Sequence, residues 1–223
     1  VEDTTGVIEK ATATIVVTPY DVIYDATAHT AAGTATGVKG ESLAGLDLSG
    51  TTRVHAGTTV DPWTFSDVTG NYHNASGTVL DRIAQAALTI TATTNSKVYD
   101  ATTTAAATPT VSGLQGTDTV TGLVEAYTDP NAGTGKTLQV TAYTVNDGNG
   151  GANYAVSLVE DTTGVIEKAT ATIVVTPYDV IYDATAHTAA GTATGVKGES
   201  LAGLDLSGTT HTNAGTYASD AWS

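Results

Sequence analysis

The stretch Thr12-Ala13-Thr14-Ile15-Val16-Val17-Thr18 sets Thr12, Thr14, Val16 and Thr18 against Ala13, Ile15 and Val17 in strict alternation. Successive side chains of an extended chain point to opposite faces, so a period of two puts one set on a core and the other in water. Ala87-Leu88-Thr89-Ile90-Thr91-Ala92-Thr93 and Leu138-Gln139-Val140-Thr141-Ala142-Tyr143-Thr144-Val145 alternate in the same way. Turn signals separate such runs: Gly-Val-Lys-Gly at 37–40, Leu-Ser-Gly at 48–50, Asp61-Pro62, Asp129-Pro130, and Asn146-Asp147-Gly148-Asn149-Gly150-Gly151. No stretch offers an amphipathic helix of useful length. Short strands at spacings of about ten residues predict small β-sandwiches, an all-β fold.

The opening stretch returns at 170–176 as part of a longer identity. Val1 through Thr52 recur letter for letter as Val159 through Thr210, an offset of 159 − 1 = 158 residues. An enzyme has no need of an unaltered second active site, whereas a rod that needs length does, so perfect identity points to an additive module. A weaker repeat lies inside the strong one. Ile23-Tyr24-Asp25-Ala26-Thr27 is echoed by Val98-Tyr99-Asp100-Ala101-Thr102 and by Ile181-Tyr182-Asp183-Ala184-Thr185. Ala56-Gly57-Thr58, Ala132-Gly133-Thr134 and Ala214-Gly215-Thr216 hold similar places, and Asn71-Tyr72 answers to Asn153-Tyr154. Two module types therefore alternate in the order A-B-A.

Composition narrows the function classes. The chain has 223 residues, 40% of them hydrophobic, enough to bury cores, and about a fifth of it is Thr. With 23 acidic against 8 basic residues the formal charge is −15, which disfavours nucleic acid and favours solubility. There is no Cys, hence no disulfide or thiolate chemistry. No run of 18 apolar residues offers a membrane span, and Val1 begins neither a signal peptide nor an initiator sequence.

The joints lack Pro- or Ser-rich spacers at Ile83–Leu88 and Ile166–Ala171, so each module is expected to begin where the last one's final strand ends. The segments read as residues 1–9, the closing strand of a preceding module; 10–84, module A; 85–167, module B; and 168–223, a second module A that lacks a counterpart of Ser66–Ile83. The chain is thus expected to be a window on a longer periodic protein.

Module A carries Tyr24-Asp25-Ala26-Thr27-Ala28-His29-Thr30, Leu46-Asp47-Leu48-Ser49-Gly50-Thr51-Thr52 and Gly70-Asn71-Tyr72; with these it resembles the MBG domain, the "mostly bacterial" immunoglobulin-like module. Module B carries Val98-Tyr99-Asp100-Ala101-Thr102-Thr103-Thr104 and Asn131-Ala132-Gly133-Thr134-Gly135-Lys136, and resembles the YDG domain of large haemagglutinin-like surface proteins. Ala26 and Ala101 stand where those families often carry Gly. The resemblance implies tandem immunoglobulin-like domains of secreted bacterial adhesins, and no catalytic residue.

No motif outweighs its structural reading. The Tyr-Asp pairs are best explained as a half-buried Tyr followed by an Asp that makes an Asx turn. His29, His55, His73, His187 and His211 lack zinc-ligand spacing and read as solvent-facing loop residues. The run 146–151 has calcium-loop composition without an EF-hand's spaced acids, so a hairpin turn is expected. Ca²⁺ between acidic groups near the joints (Glu2, Asp3, Glu160, Asp161, Glu167, Asp81) stays open. Lys10, Lys97, Lys136 and Lys168 raise an isopeptide staple, against which exposed lysine is the preferred reading. Asn74-Ala75-Ser76 is a weak glycosylation triplet. No nucleophile with a base, phosphate loop or carboxylate pair appears, so catalytic, cofactor-binding and metal residues are expected to be none.

These readings lead to an extended rod of tandem immunoglobulin-like β-sandwiches: a stalk or filament region of an extracellular protein at the bacterial cell surface, acting as a mechanical spacer in adhesion. Its partners are neighbouring repeats of the same chain, other copies in a filament, and an unidentified cell-surface or glycan ligand. The alternative is a repeated ligand-binding module that grips glycan or protein through loops such as Asp61-Pro62-Trp63 or 146–151.

Overall fold

The computed structural model describes residues 5–223. Its first part holds β1 (Thr14–Thr18), β2 (Asp21–Ile23), β3 (Ala32–Thr36), β4 (Leu46–Asp47), β5 (Gly57–Phe65) and β6 (Ala75–Ala84). The middle part holds β7 (Ala86–Thr91), β8 (Ser96–Val98), β9 (Thr110–Ser112), β10 (Thr119–Tyr127), β11 (Gly133–Asn146), β12 (Tyr154–Val159) and β13 (Asp161–Glu167). The last part holds β14 (Thr172–Thr176) and β15 (Ala190–Thr194). Two single-turn 3-10 helices, Ser49–Thr51 and Ser207–Thr209, complete the elements, with no α-helix among the described residues. The fold is all-β, as the alternation requires.

The period-two pattern becomes burial directly. In β7 the side chains of Ala86, Leu88 and Ile90 are buried, and in β6 those of Val79, Asp81 and Ile83 are buried while Leu80 faces out. In β1, Ile15 and Val17 turn inward and Thr14, Val16 and Thr18 outward.

Strands β1 and β3 pair antiparallel, and β2-β6-β5-β4 form a four-stranded sheet. In the middle part, β12-β7-β9 form one sheet and β10-β11-β13-β8 another. The weak letter repeat is a repeat of topology. The strand ahead of the first and of the second Tyr-Asp pair runs parallel to a closing strand, β2 along β6 and β8 along β13. Each ladder ends on the same bond, Tyr24 N–H to Ala84 O and Tyr99 N–H to Glu167 O, both 2.8 Å. Gly57 opens β5 opposite Ile83, and Gly133 opens β11 opposite Ile166. Asn71-Tyr72 and Asn153-Tyr154 also answer each other, since Ala11 N–H donates to Asn71 O at 2.8 Å and Ala86 N–H to Asn153 O at 3.0 Å.

One sequence expectation meets a correction. Asp61-Pro62 does not cut a strand; both lie inside β5, which pairs with β6 from Gly57 to Phe65. Proline is tolerated there because on the other side β4 pairs only with Phe65 and Thr64, so Pro62 needs no ladder donor. Of residues 1–9, expected as the closing strand of a preceding module, 5–9 are exposed and form no strand, and 1–4 lie outside the described residues. The identical letters at Thr163–Glu167 do form a strand, because β11 and β8 flank them. Compact packing also ignores the repeat boundaries. One unit gathers the described residues up to Thr91 with Pro109–Leu123 and Ala142–Val159; the other gathers Ala92–Thr108, Val124–Thr141 and Glu160–Ser223.

The first unit has two cores. Ala35, Phe65 and Tyr72 make one, with Ala11, Ala13, Ile15, Leu43, Leu46 and Trp63 against it. The other joins Tyr24 and Ile83 to Ala86, Leu88 and Tyr154, and so spans the step from β6 to β7. In the second unit Ala92, Tyr127, Leu138 and Ile166 form the core, with the Tyr127 hydroxyl donating to Asn95 O at 2.6 Å.

Candidate functional site

The most elaborate constellation lies where β6 passes into β7. Only Gln85 separates the two strands, and its side-chain amide donates to Ala152 O at 3.0 Å and to Tyr154 O at 3.1 Å. Above it, Tyr24 and Tyr154 meet edge to face, with centroids 5.5 Å apart and planes at 81°. Both hydroxyls donate to the same oxygen, Oδ2 of Asp118, at 2.9 and 2.7 Å, and Gln115 N–H donates to the Tyr154 hydroxyl at 2.7 Å. Burial, reinforced by the Asp118 carboxylate, pushes both phenols up to about 12. Leu88, with no exposed surface, packs in the same core.

A polar clamp closes the other side. Asn153 is fully buried; its Oδ1 accepts from Ala56 N–H and from Asn149 Nδ2, both at 2.9 Å. The 146–151 run positions it. Asp147 Oδ1 accepts the N–H groups of Asn149 and Gly151 at 2.8 Å each, and its Oδ2 accepts that of Asn153 at 3.0 Å. Burial works to raise the Asp147 pKa, but the backbone donors outweigh it and hold the carboxyl below the usual range. Both oxygens are thereby engaged by N–H donors, so the run is a hydrogen-bonded loop with its carboxylate turned inward; it is not the expected hairpin turn, because β11 and β12 on either side belong to different sheets. An unsatisfied buried Asn costs about 1–3 kcal/mol, which is why this side chain has a full set of partners.

The Tyr-Asp pairs hold local turns of one design. Asp25 Oδ1 accepts Thr27 N–H at 2.9 Å and the Thr27 hydroxyl at 2.6 Å; Asp100 and Asp183 do the same with Thr102 and Thr185. Bonds from the Thr hydroxyl and then the Thr N–H lower Asp25 and Asp183 to about 2. The residue after each Asp sits in the left-handed region, Ala26 at φ 64°, Ala101 at 61° and Ala184 at 61°. This is the backbone state for which glycine is the unstrained choice, and it explains why alanine stood out there.

The histidines are less solvent-facing than their spacing suggests. His29 and His187 contact Asp25 and Asp183 at 3.0 and 2.9 Å, and their rings lie 5.8 Å from Tyr20 and Tyr178. His55 Nδ1 lies 3.3 Å from Asn153 Nδ2, and His211 stacks on Tyr217 at 3.5 Å. His73 is an exposed side chain, as is that of His55. Lys97 binds Asp100 at 2.9 Å and Lys136 pairs with Asp129, so both meet carboxylates instead of Asn amides. Lys10 and Lys168 are exposed. Asp81 is buried and accepts Tyr20 N–H at 3.1 Å, while Asp161 caps Thr163 N–H at 2.8 Å. Glu2 and Asp3 lie outside the described residues. Among the described residues no group of three or more His, Asp or Glu is placed to hold a metal. No helix of the described residues is long and apolar enough to cross a membrane.

Sequence reasoning anticipated the turns but missed the clamp. Its members, Ala56, Asp147, Asn149 and Asn153, are spread over 153 − 56 = 97 residues, and although repeated phrases carry Ala56 and Asn153, nothing in the sequence joins the two. A comparison with curated proteins finds no match. A family model does match the middle of the chain, from β7 into β13 and including Asp118, Asp147 and Asn153: residues 84–164 match the YDG domain.

Proposed function

We propose that this chain is part of the stalk of a secreted bacterial cell-surface adhesin, a mechanical spacer in adhesion or cell-cell contact. In this reading residues 10–84 and 168–223 are MBG-like modules that alternate with the YDG domain, each an immunoglobulin-like sandwich, and the tandem forms an extended rod. The supporting observation is the step from β6 to β7, where one linking residue, a shared tyrosine core and the buried Asn153 clamp leave little freedom to bend. The charge of −15 keeps neighbouring copies apart.

Ligand gripping by the two loops named above has less support. Asp61 is buried and paired with Arg53, Trp63 packs in a core, and Asp147 and Asn153 bond inward. Small-angle X-ray scattering of the 223-residue chain, with calcium and with chelator, tests the spacer. A narrow, elongated profile is expected; a compact or freely bending one would sink it. Stiffening by calcium alone would move the mechanism to bound ions.

A further inference from the structure

Position 53 is arginine, and its counterpart, 53 + 158 = 211, is histidine. This first change after the 52 identical residues sets two imidazoles opposite each other. His187 N–H donates to His211 O at 2.9 Å and His211 N–H to His187 O at 3.0 Å, an isolated antiparallel bridge. The same two bonds join His29 to Arg53, at 2.8 and 2.9 Å, so the backbone frame is common to both copies. Residues that exchange both bonds across such a bridge have Cα atoms about 5.5 Å apart and side chains on one face. Along the chain the two histidines are 211 − 187 = 24 residues apart, which is why their spacing gave no sign of a site.

Each ring is already held. His187 Nε2 lies 2.9 Å from Asp183 Oδ1, and its ring lies 5.8 Å from that of Tyr178. His211 Nε2 lies 3.0 Å from Asp220 Oδ1, and its ring stacks on Tyr217 at 3.5 Å with planes 2° apart. A carboxylate accepts and cannot donate, so Nε2 carries the proton in both neutral rings and Nδ1 keeps its lone pair. That is the state of a metal-binding histidine, whose other nitrogen donates to a carboxylate that fixes the tautomer and raises the basicity of the ring. The His187 and His211 side chains are 26% and 25% exposed, so an ion with its waters can reach them. In the first copy the opposite position holds the Arg53 guanidinium, paired with buried Asp61. It has no lone pair to give, and its charge repels a cation.

We propose that His187 and His211 form a site for a divalent ion of the zinc, nickel and copper class, bound through the two Nδ1 atoms with water completing its shell. Asp183 and Asp220 are positioning residues that hold the two rings. The ion ties the Asp183–His187 turn to the segment that follows Thr210. Both ligands sit on one backbone frame, so the second bond forms intramolecularly and the pair binds about tenfold or more tighter than a lone imidazole. The site does not depend on the stalk reading.

The test is titration of the 223-residue chain with Zn²⁺, followed through the ring resonances of its five histidines. His187 and His211 should shift together on one saturation curve, whereas His29, opposite Arg53, should not shift with them. H211R, which puts the residue of the first copy in its place, should weaken binding about tenfold or more and leave His187 responding like His29. Lowering the pH should release the ion, because protons compete for both lone pairs. Absence of a saturable shift, a response of His29 equal to that of His187, or binding unchanged in H211R would overturn the proposal. The comparison of His187 with His29 in the parent chain decides the matter whether or not H211R folds.

Discussion

Tyr24 and Tyr182 stand at the same place in the same phrase of 52 identical residues, yet Tyr24 is 3% exposed and Tyr182 60%. Much else is shared between the copies. β14 pairs with β15 in the register of β1 with β3, Thr172 opposite Thr194 and Thr14 opposite Thr36. The Asp-Thr-His turns and the 3-10 turns also coincide. What the second copy lacks is a counterpart of β2 and of β4. Strands of three and two residues do not stand alone; β2 exists because β6 pairs with it in parallel, and β4 because β5 pairs with it antiparallel. Ile181, at the end of the would-be strand, is accordingly 92% exposed. Identical letters thus separate what a segment does unaided from what its partners impose.

The largest test of that contrast is truncation of the two tyrosines. Tyr24→Ala empties a core that also holds Leu88 and Tyr154, and is expected to cost about 3–5 kcal/mol in urea unfolding. Tyr182→Ala removes an exposed ring and should stay within about 0.5 kcal/mol. Equal losses would mean that the second copy is packed like the first.

Asn153→Ala comes next, at about 1–3 kcal/mol, because it strands buried donors and an acceptor near Ala56. Hydrogen exchange gives it a local readout. The Ala56 amide should be protected in the parent chain and lose that protection in the variant, whereas Ala214, its counterpart, should exchange alike in both.

The alkaline limb sharpens the comparison without mutation. Tyr24 and Tyr154 are pushed up to about 12 in the fold against an ordinary value of 10.0. Between those values the folded chain holds protons that the unfolded chain has released, so their contribution is complete below pH 10 and lost as pH rises towards 12. Denaturation midpoints should fall across that window, and Y24F should flatten the slope.

The smallest effect should be equal in the two copies. Asp25 and Asp183, lowered to about 2 by their own Thr hydroxyl and N–H, should titrate together when followed by carboxyl NMR shifts. Their contribution is present above the ordinary value of 3.8 and fades as pH falls towards 2. Separate midpoints would show that the turn is not locally determined after all.

Strand positions were legible in the alternation at Thr12–Thr18, and the Asp-x-Thr turns in their own letters, because the forces involved act over two to four residues. The step between β6 and β7 could be placed from the missing spacer. Pro62 misled, since a turn residue inside a strand is allowed only where the neighbouring strand stops short, and the reach of β4 is not written near Pro62. The clamp was hidden for a similar reason: Ala56 and Asn153 are 153 − 56 = 97 residues apart, and neither belongs to a motif that names the other.

By itself, then, the sequence determined an all-β chain, its repeats, its strand alternation and its capped turns, all of which rest on contacts between near neighbours. Tertiary structure alone decided that Tyr24 is buried while Tyr182 is not, and that Thr163–Glu167 is a strand while residues 5–9 are not. A short extended segment gains its hydrogen bonds and its core only from strands that arrive from elsewhere in the chain, so the same letters stop at different structures when those strands differ.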